Sequence, residues 1–280
     1  MPYPLEKLAY GLRRRLRELT TRSEAYAFQI AAPNLAGLQP IQKVQILSKA
    51  RFLIDENNEL QKDFSPQYSA QTDSQELPLY IVSDELAFEN FTLNDKMTPL
   101  LDDLQLIPKR VYFTDCILDN EFIQRFVNSI HDPIKNIDFY PCTLPSENAA
   151  KLLLNSPAFG ALEEFTVMEP AFPSVSWWID AFVETKCTSL KLFSADEAML
   201  TTFNINPDNF LKFFKAQCDE FKMYFGIAEE SDKPLTLELL KNLLNTHFEG
   251  DDPDKDKFVC LHFGDEDDDS FFTLRAEYDV

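Results

Sequence analysis

A short pattern recurs along most of this chain, and it constrains the fold more than any other feature. In the stretch IKNIDFYPCTL, one residue separates Ile137 from Phe139, and Cys142 and Leu144 follow at fixed intervals. Alternate side chains of a strand point to the same face, so such a pair suits a strand with one buried face. A small thiol after the strand can satisfy backbone groups where the chain turns. The stretch therefore predicts a short strand followed by a turn.

Seven stretches carry such a pair of apolar positions. The pairs are Leu79/Ile81, Val111/Phe113, Ile137/Phe139, Phe165/Val167, Leu190/Leu192, Phe221/Met223 and Val259/Leu261. They recur every 25 to 38 residues, and helix-like segments lie between most of them. Strand alternating with helix at such a period is typical of a repeat solenoid. An ordinary α/β sheet with irregular connections is the alternative, but the added turn residue and second anchor favour the solenoid.

The recurring pattern resembles the leucine-rich repeat, LxxLxLxxN/CxL, in its cysteine-containing variety. Cys116 and Cys142 occupy the turn position of that repeat, and Asp84 takes it in the first unit. The resemblance covers residues 76–280 and implies an α/β fold. We expect a leucine-rich-repeat-like solenoid with parallel strands and outer helices, preceded by a small all-helical amino-terminal module.

Residues 1–52 are predicted to form that helical module. Leucines spaced by three and four residues mark one face of its first helix. These are Leu5, Leu8, Leu12, Leu16 and Leu19. A second helix contains Tyr26 and Phe28, and a third is expected from Ile41 to Phe52. Residues 53–75 are polar and poor in aliphatic side chains, which predicts a linker or a surface loop.

The opening of the chain, YPLEKLAYGLRRRLREL, resembles a divergent F-box and is similar to F-box-like proteins of nematodes. That family docks on the Skp-type adaptor of cullin–RING ubiquitin ligases, and leucine-rich repeats that follow it often hold the substrate. The resemblance implies a substrate-recognition adaptor that performs no catalysis. The adaptor-binding residues it implies are Pro4, Leu5, Leu8, Leu12, Leu16 and Leu19. The alternative is a stand-alone repeat scaffold whose amino-terminal helices only cap the solenoid.

Charge is distributed unevenly along the chain. Residues 1–51 carry nine Lys/Arg and three Asp/Glu, a net charge of +6, whereas the remainder carries a net charge of −27. A body this acidic repels phosphate backbones, so we expect no nucleic-acid partner. The asymmetry has two interpretations: two regions with different partners, or a solvated basic helix followed by acidic loops.

Side chains beside the paired apolar positions are predicted to point to the opposite, concave face of the sheet. Aromatic and basic residues there, in an otherwise acidic body, fit a surface that binds an unknown target protein. The candidates are Tyr80, Arg110, Tyr112, Tyr140, Lys191, Phe193, Lys222 and Tyr224. The alternative is that these side chains pack against flanking loops.

The sequence contains no pattern typical of an enzyme. It has no HExxH motif, no Cys/His set at zinc spacing and no glycine-rich phosphate loop, so we expect neither catalysis, nor a metal, nor a cofactor. We also expect no signal peptide and no membrane span, because charges interrupt every apolar run. Five cysteines without a CxxC motif suit reduced thiols in the cytoplasm or nucleus.

Overall fold

The computed structural model describes residues 7–39, 41–66, 78–92, 104–168, 171–228, 233–244, 247–250, 255–263 and 269–278. Its architecture is mixed α/β, with one large, mostly parallel sheet and helices. The helices are α1 (Tyr10–Leu19), α2 (Arg22–Ala31), α3 (Asn120–Ser129), α4 (Glu147–Leu154), α5 (Val175–Thr185), α6 (Pro207–Ala216) and α7 (Lys233–Leu244). Within the described residues, no helix combines the length and apolar character that crossing a bilayer requires.

The described strands form a single twelve-stranded sheet. They are β1 (Val44–Ile54), β2 (Leu60–Pro66), β3 (Leu79–Glu89), β4 (Leu104–Leu106), β5 (Arg110–Thr114), β6 (Asn136–Tyr140), β7 (Glu164–Met168), β8 (Leu192–Ala198), β9 (Lys222–Ile227), β10 (Phe248–Gly250), β11 (Phe258–His262) and β12 (Ser270–Leu274). The order is β2-β1-β3-β5-β6-β7-β8-β9-β11-β12-β10, and β4 pairs with β3. Neighbours from β1 to β11 are parallel, whereas β2, β12 and β10 pair antiparallel at the two ends.

One face of the sheet carries the core. Phenylalanines at the same register position stack across neighbouring strands, and their ring centroids lie 5.5 to 5.6 Å apart. This ladder consists of Phe52, Phe88, Phe113 and Phe139, all buried. Each ring removes a large apolar area from water, and offset stacking adds to that gain. The ladder accounts for four of the 25 phenylalanines of the chain.

Helices α3, α5 and α6 cover this apolar face. Phe126 of α3 meets Phe113 edge-on at 5.4 Å, and Trp178 of α5 packs on Phe165 at 4.9 Å. The helix starts are well defined because Asp119 and Ser146 accept hydrogen bonds from backbone N–H groups of α3 and α4. Helices α3, α5 and α6 therefore lie against one face of the strands, and we call the opposite face the open face.

The turns after β5 and β6 contain the cysteines that the sequence places there. The Cys116 thiol donates to the carbonyl oxygens of Thr114 at 3.2 Å and Phe88 at 3.4 Å. The Cys142 thiol donates to the carbonyl oxygen of Tyr140 at 3.6 Å. Both thiols are buried and free, so they serve the turn backbone groups as predicted.

The register corrects three of the seven predicted pairs. The residues aligned with Val111, Ile137 and Phe165 are Leu86 on β3, Phe193 on β8 and Met223 on β9. Leu79, Leu190 and Phe221, which the pattern placed there, are buried outside this row. The prediction failed because apolar residues are dense around β3, β8 and β9. More than one register then satisfies an alternating pattern.

The amino-terminal prediction holds for two helices and fails for the third. Helices α1 and α2 lie where expected, but the segment predicted as a helix from Ile41 to Phe52 contains strand β1. The predicted module boundary at residues 52 and 53 therefore lies inside a strand. Leu47, Ala50 and Phe52 are buried on β1, and a register shift between residues 47 and 49 disrupts their alternation. That irregularity made a strand resemble a helix.

The predicted linker at 53–75 is wrong for the part of it that the structure describes. Leu60–Pro66 forms β2, which pairs antiparallel with β1 through a turn organised by Asp55. The Asp55 carboxylate accepts the backbone N–H groups of Asn57 and Glu59, each at 2.9 Å. Residues 67–75 lie outside the described residues. The polar composition that indicated a loop belongs to an exposed edge strand.

Candidate functional site

Helix α1 is the first candidate surface, because it leaves its apolar side chains in solvent. None of its residues is buried, and Tyr10, Leu12 and Leu19 are 61%, 58% and 68% exposed. Leu8 and Leu16 are half-buried. Of the predicted adaptor-binding residues, Pro4 and Leu5 lie outside the described residues. The remaining leucines thus form a partly exposed apolar stripe.

Two arginines fix α1 to the chain that follows α2. Arg13 donates from Nε to the carbonyl oxygen of Leu8 at 2.8 Å and from Nη1 to that of Ala36 at 3.0 Å. Arg17 donates to Gln42 at 3.5 Å. The next residue in the loop, Gly37, has a φ of +97°, a conformation that favours glycine. The lack of a side chain there lets the loop approach Arg13 and Tyr10 closely.

The other arginines of α1 face water. Arg14 and Arg15 share the Glu18 carboxylate at 3.4 and 3.1 Å, and their side chains are 70% and 65% exposed. Such exposed pairs contribute little to stability. Helix α1 therefore presents an apolar stripe beside two exposed arginines that share one carboxylate, a combination suited to an acidic protein surface with apolar contacts.

The sheet face opposite the helices is the second candidate surface. Register pairing places five open-face residues side by side on β5 to β9. These are Tyr112, Asp138, Thr166, Ser194 and Tyr224. We call the group formed by Tyr112, Asp138, Tyr140, Thr166, Ser194 and Asp196 the central patch. It sits on the rigid middle of the sheet, away from both ends.

Five of the eight predicted partner-binding residues occupy this open face. They are Arg110, Tyr112, Tyr140, Lys222 and Tyr224. Lys191 lies immediately before the first residue of β8, and its ammonium group forms an ion pair with the Glu163 carboxylate at 2.7 Å. Tyr80 instead packs against the core beside Phe64, with ring centroids 5.0 Å apart.

The prediction for Phe193 is wrong. Its side chain is fully buried and contacts Phe165 and Phe213 on the helix-covered face. The error follows from the register, because moving a strand by one residue sends each side chain to the other face. Leu192, Ser194 and Asp196 are the residues of β8 that lie on the open face.

Arg110 organises one side of the central patch. Its guanidinium group donates to the Tyr112 hydroxyl at 3.2 Å and to the Glu164 carboxylate at 3.4 Å. Asn136 donates to the same carboxylate. The Glu164 carboxylate of β7 therefore accepts hydrogen bonds from side chains of β5 and β6. Arg110 already has hydrogen-bond partners within the chain.

Asp138 is the unusual member of the central patch. Its side chain is largely withdrawn from water, with the residue only 9% exposed. That burial raises the pKa of the Asp138 carboxyl above its ordinary value, while a hydrogen bond from Thr166 and the charge of Arg110 oppose the shift. Burial also raises the pKa of Tyr140 to about 12, with Asp138 adding to the effect. Burial therefore disfavours the charged forms of both the Asp138 carboxyl and the Tyr140 hydroxyl.

Four residues of the central patch are not among those predicted from the sequence: Asp138, Thr166, Ser194 and Asp196. A signal was available for Asp138, because it lies between Ile137 and Phe139 and has the same strand parity as Tyr112 in the preceding unit. Asp is depleted in strands whereas Thr is enriched, so strand propensity does not mark these residues as members of one surface.

No family model, no curated protein and no solved structure matches this chain. Functional inference therefore depends on the geometry of the two surfaces. The described residues contain no group of three or more His, Cys, Asp or Glu side chains arranged to hold a metal ion. What the two surfaces offer is contact with other molecules: an apolar, basic helix and a tyrosine-rich sheet face.

Proposed function

We propose that this chain is the substrate-recognition subunit of a cullin–RING ubiquitin ligase. In this proposal α1 docks on a Skp-type adaptor, and the open face of a leucine-rich-repeat-like solenoid holds the target protein. Joining two binding surfaces in one chain raises the effective concentration of the target near the ligase. The exposure of Leu12 and Leu19 on a helix that buries none of its residues is the observation that carries the proposal.

The parallel strands in chain order support the solenoid part of the proposal. From β5 to β9 each strand lies beside its predecessor, and helices α3, α4, α5 and α6 lie between successive strands in the chain. This matches the strand–helix alternation of a repeat array, in which each unit packs on its neighbours. The open face is then the inner surface of the array.

A stand-alone scaffold, with the amino-terminal helices serving only as a cap, is the second candidate. Helix α2 favours it, because α2 lies against β3 and β4 and buries Ala25. The edge of the sheet, however, is occupied by strand β2 and not by either helix. A cap function thus explains α2 better than α1, whose Leu12 and Leu19 remain exposed.

Capture of a purified Skp-type adaptor tests the leading proposal. We expect the wild-type chain to co-purify with the adaptor and the double variant Leu12→Asp/Leu19→Asp to lose capture. Both side chains are exposed, so the circular dichroism spectrum should not change. Ile41→Asp is the matched control, because Ile41 is 70% exposed but lies outside α1. Absence of capture by the wild-type chain, or equal loss in the control, would contradict the proposal.

A further inference from the structure

Two carboxylates of the central patch form no ion pair among the described residues, although the charge of Arg110 acts on Asp138. Asp138 accepts a hydrogen bond from the Thr166 side chain, and Asp196 accepts one from the Ser194 hydroxyl at 2.7 Å. Among the described residues, neither carboxylate forms an ion pair with Lys, Arg or His. A carboxylate as buried as Asp138 is costly to keep without a paired cation. A group maintained at such a cost calls for a functional reason.

Several other carboxylates on the same sheet face form ion pairs within the chain. Glu85 pairs with Lys49 at 2.7 Å, and Glu164 pairs with Arg110 at 3.4 Å. Among the described residues, the lack of an ion pair at Asp138 and Asp196 is therefore a feature of these positions on β6 and β8. They are not a general consequence of the acidic composition.

The two carboxylates lie among small side chains, and a large aromatic side chain stands at each end of this row of residues. Tyr112 and Tyr224 lie at the two ends of the register row, and the small Thr166 and Ser194 lie between them. Neighbouring strands are about 4.8 Å apart, so the two tyrosines are separated by roughly 19 Å across the sheet. Next to Asp196, Gly226 has no side chain and leaves further space. An extended segment of protein fits a span of this length.

A groove of about 440 Å³ continues the central patch toward the amino-terminal ends of β7 to β9. It is lined by Glu164, Lys191, Leu192, Glu220, Lys222, Tyr224 and Asp256. Glu164 and Tyr224 adjoin central-patch residues on the same strands and in the same register row, so the groove borders the central patch. A bound segment therefore has room to extend beyond the two unpaired carboxylates.

We propose that the central patch binds a basic segment of the target protein, whose arginine side chains reach Asp138 and Asp196 between the tyrosine rings. This inference rests on the proposed target-binding role of the open face. Arginine fits because its planar guanidinium group donates several hydrogen bonds to carboxylates and also stacks on aromatic rings. Phosphate-bearing partners are disfavoured by the same two negative charges.

Two matched peptides test the inference. The probe is a short glycine–serine peptide with two arginines, and its neutral partner carries citrulline at both positions. Amide chemical shifts of the full chain are followed by NMR at about 0.15 M salt, where long-range attraction to the acidic body is screened. We expect saturable shifts concentrated at Thr166, Ser194 and their neighbours with the arginine peptide, and none with the citrulline peptide.

Charge variants separate the patch from the general acidity of the chain. We expect Asp138→Asn/Asp196→Asn to weaken arginine-peptide binding about tenfold or more, the scale of one lost charge-assisted hydrogen bond. The matched control, Glu184→Gln/Glu277→Gln, removes the same charge from two exposed residues elsewhere and should leave binding unchanged. Asn retains an acceptor for Thr166 and Ser194, so the fold should survive the double substitution.

Three results would overturn the inference. They are equal binding of the citrulline peptide, equal weakening in the control variant, and absence of localised shifts at millimolar arginine peptide. Adaptor capture by the same preparations distinguishes these failures from failure of the proposed function. Loss of peptide binding with retained adaptor capture removes only the basic-segment proposal, whereas absence of adaptor capture removes the ligase role.

Discussion

Helices α1 and α5 have nearly the same length but opposite relations to the rest of the molecule. The 11 residues of α5 bury five side chains, among them Trp178 and Phe182. The 10 residues of α1 bury none. An amphipathic helix normally gains its stability by packing an apolar face. Helix α1 holds its position through Arg13 and Arg17 instead, which leaves its leucines free to contact another protein.

The largest difference between the two helices should appear in global stability. We expect Trp178→Ala to lower the free energy of unfolding by about 3–5 kcal/mol, since a fully buried aromatic side chain leaves a cavity. Leu12→Ala should change it by less than about 0.5 kcal/mol. Urea denaturation followed by circular dichroism measures both. A comparable loss for Leu12→Ala would mean that α1 is packed in solution.

Substitution of two different arginines of α1 should change the local stability of the helix by different, smaller amounts. Arg13→Ala removes hydrogen bonds to two backbone carbonyls and should destabilise α1 locally by about 1 kcal/mol. Arg14→Ala removes only an exposed pair with Glu18 and should have an effect below about 0.5 kcal/mol. Hydrogen exchange of the α1 amides measures this local stability. Equal protection in the two variants would argue against Arg13 as the tether.

The smallest effect concerns Asp138 and has a defined pH dependence. Burial raises its folded-state pKa, so the folded chain holds this proton more tightly than the unfolded chain. The contribution of Asp138 to stability therefore decreases as pH rises from the unfolded value of about 3.9 through the folded value. We expect Asp138→Asn to be more stable than the wild type at pH 7 and to lose this advantage near pH 4.

Urea denaturation at the two pH values checks that prediction. Asp196→Asn is a suitable comparison, because the same chemical change is made at a residue of the central patch that is less buried. An Asp138→Asn variant that is less stable than the wild type at pH 7 would show that the ionised carboxylate is satisfied in the fold. The case for an external cation would then lose its basis.

The sequence predicts the register of β5, β6, β7 and β11 better than that of β3, β8 and β9. In β5 and β6 the apolar pair is preceded by Arg110 or Asn136 and followed by Thr114 or Tyr140, so the alternating pattern favours one register. In β3, β8 and β9 neighbouring apolar residues permit several registers, and pairing between strands decides among them. Phe193 was misplaced for this reason, and β1 was misassigned because its alternation is interrupted.

The candidate site was predictable only in part for a similar reason. Tyr112, Tyr140 and Tyr224 stand out in the sequence as large aromatic residues beside buried positions. Asp138 and Asp196 do not, because their significance depends on burial and on the absence of a paired cation among the described residues. Both properties arise only when strands far apart in sequence are brought together.

Hydrogen–deuterium exchange of the chain with and without a purified Skp-type adaptor tests the central claim most directly. The account predicts that the adaptor slows exchange of the α1 amides, Tyr10–Leu19, and leaves β5 to β8 unchanged, since these strands belong to the target-binding face. Unchanged exchange throughout α1 at saturating adaptor, or protection confined to the open face, would contradict it.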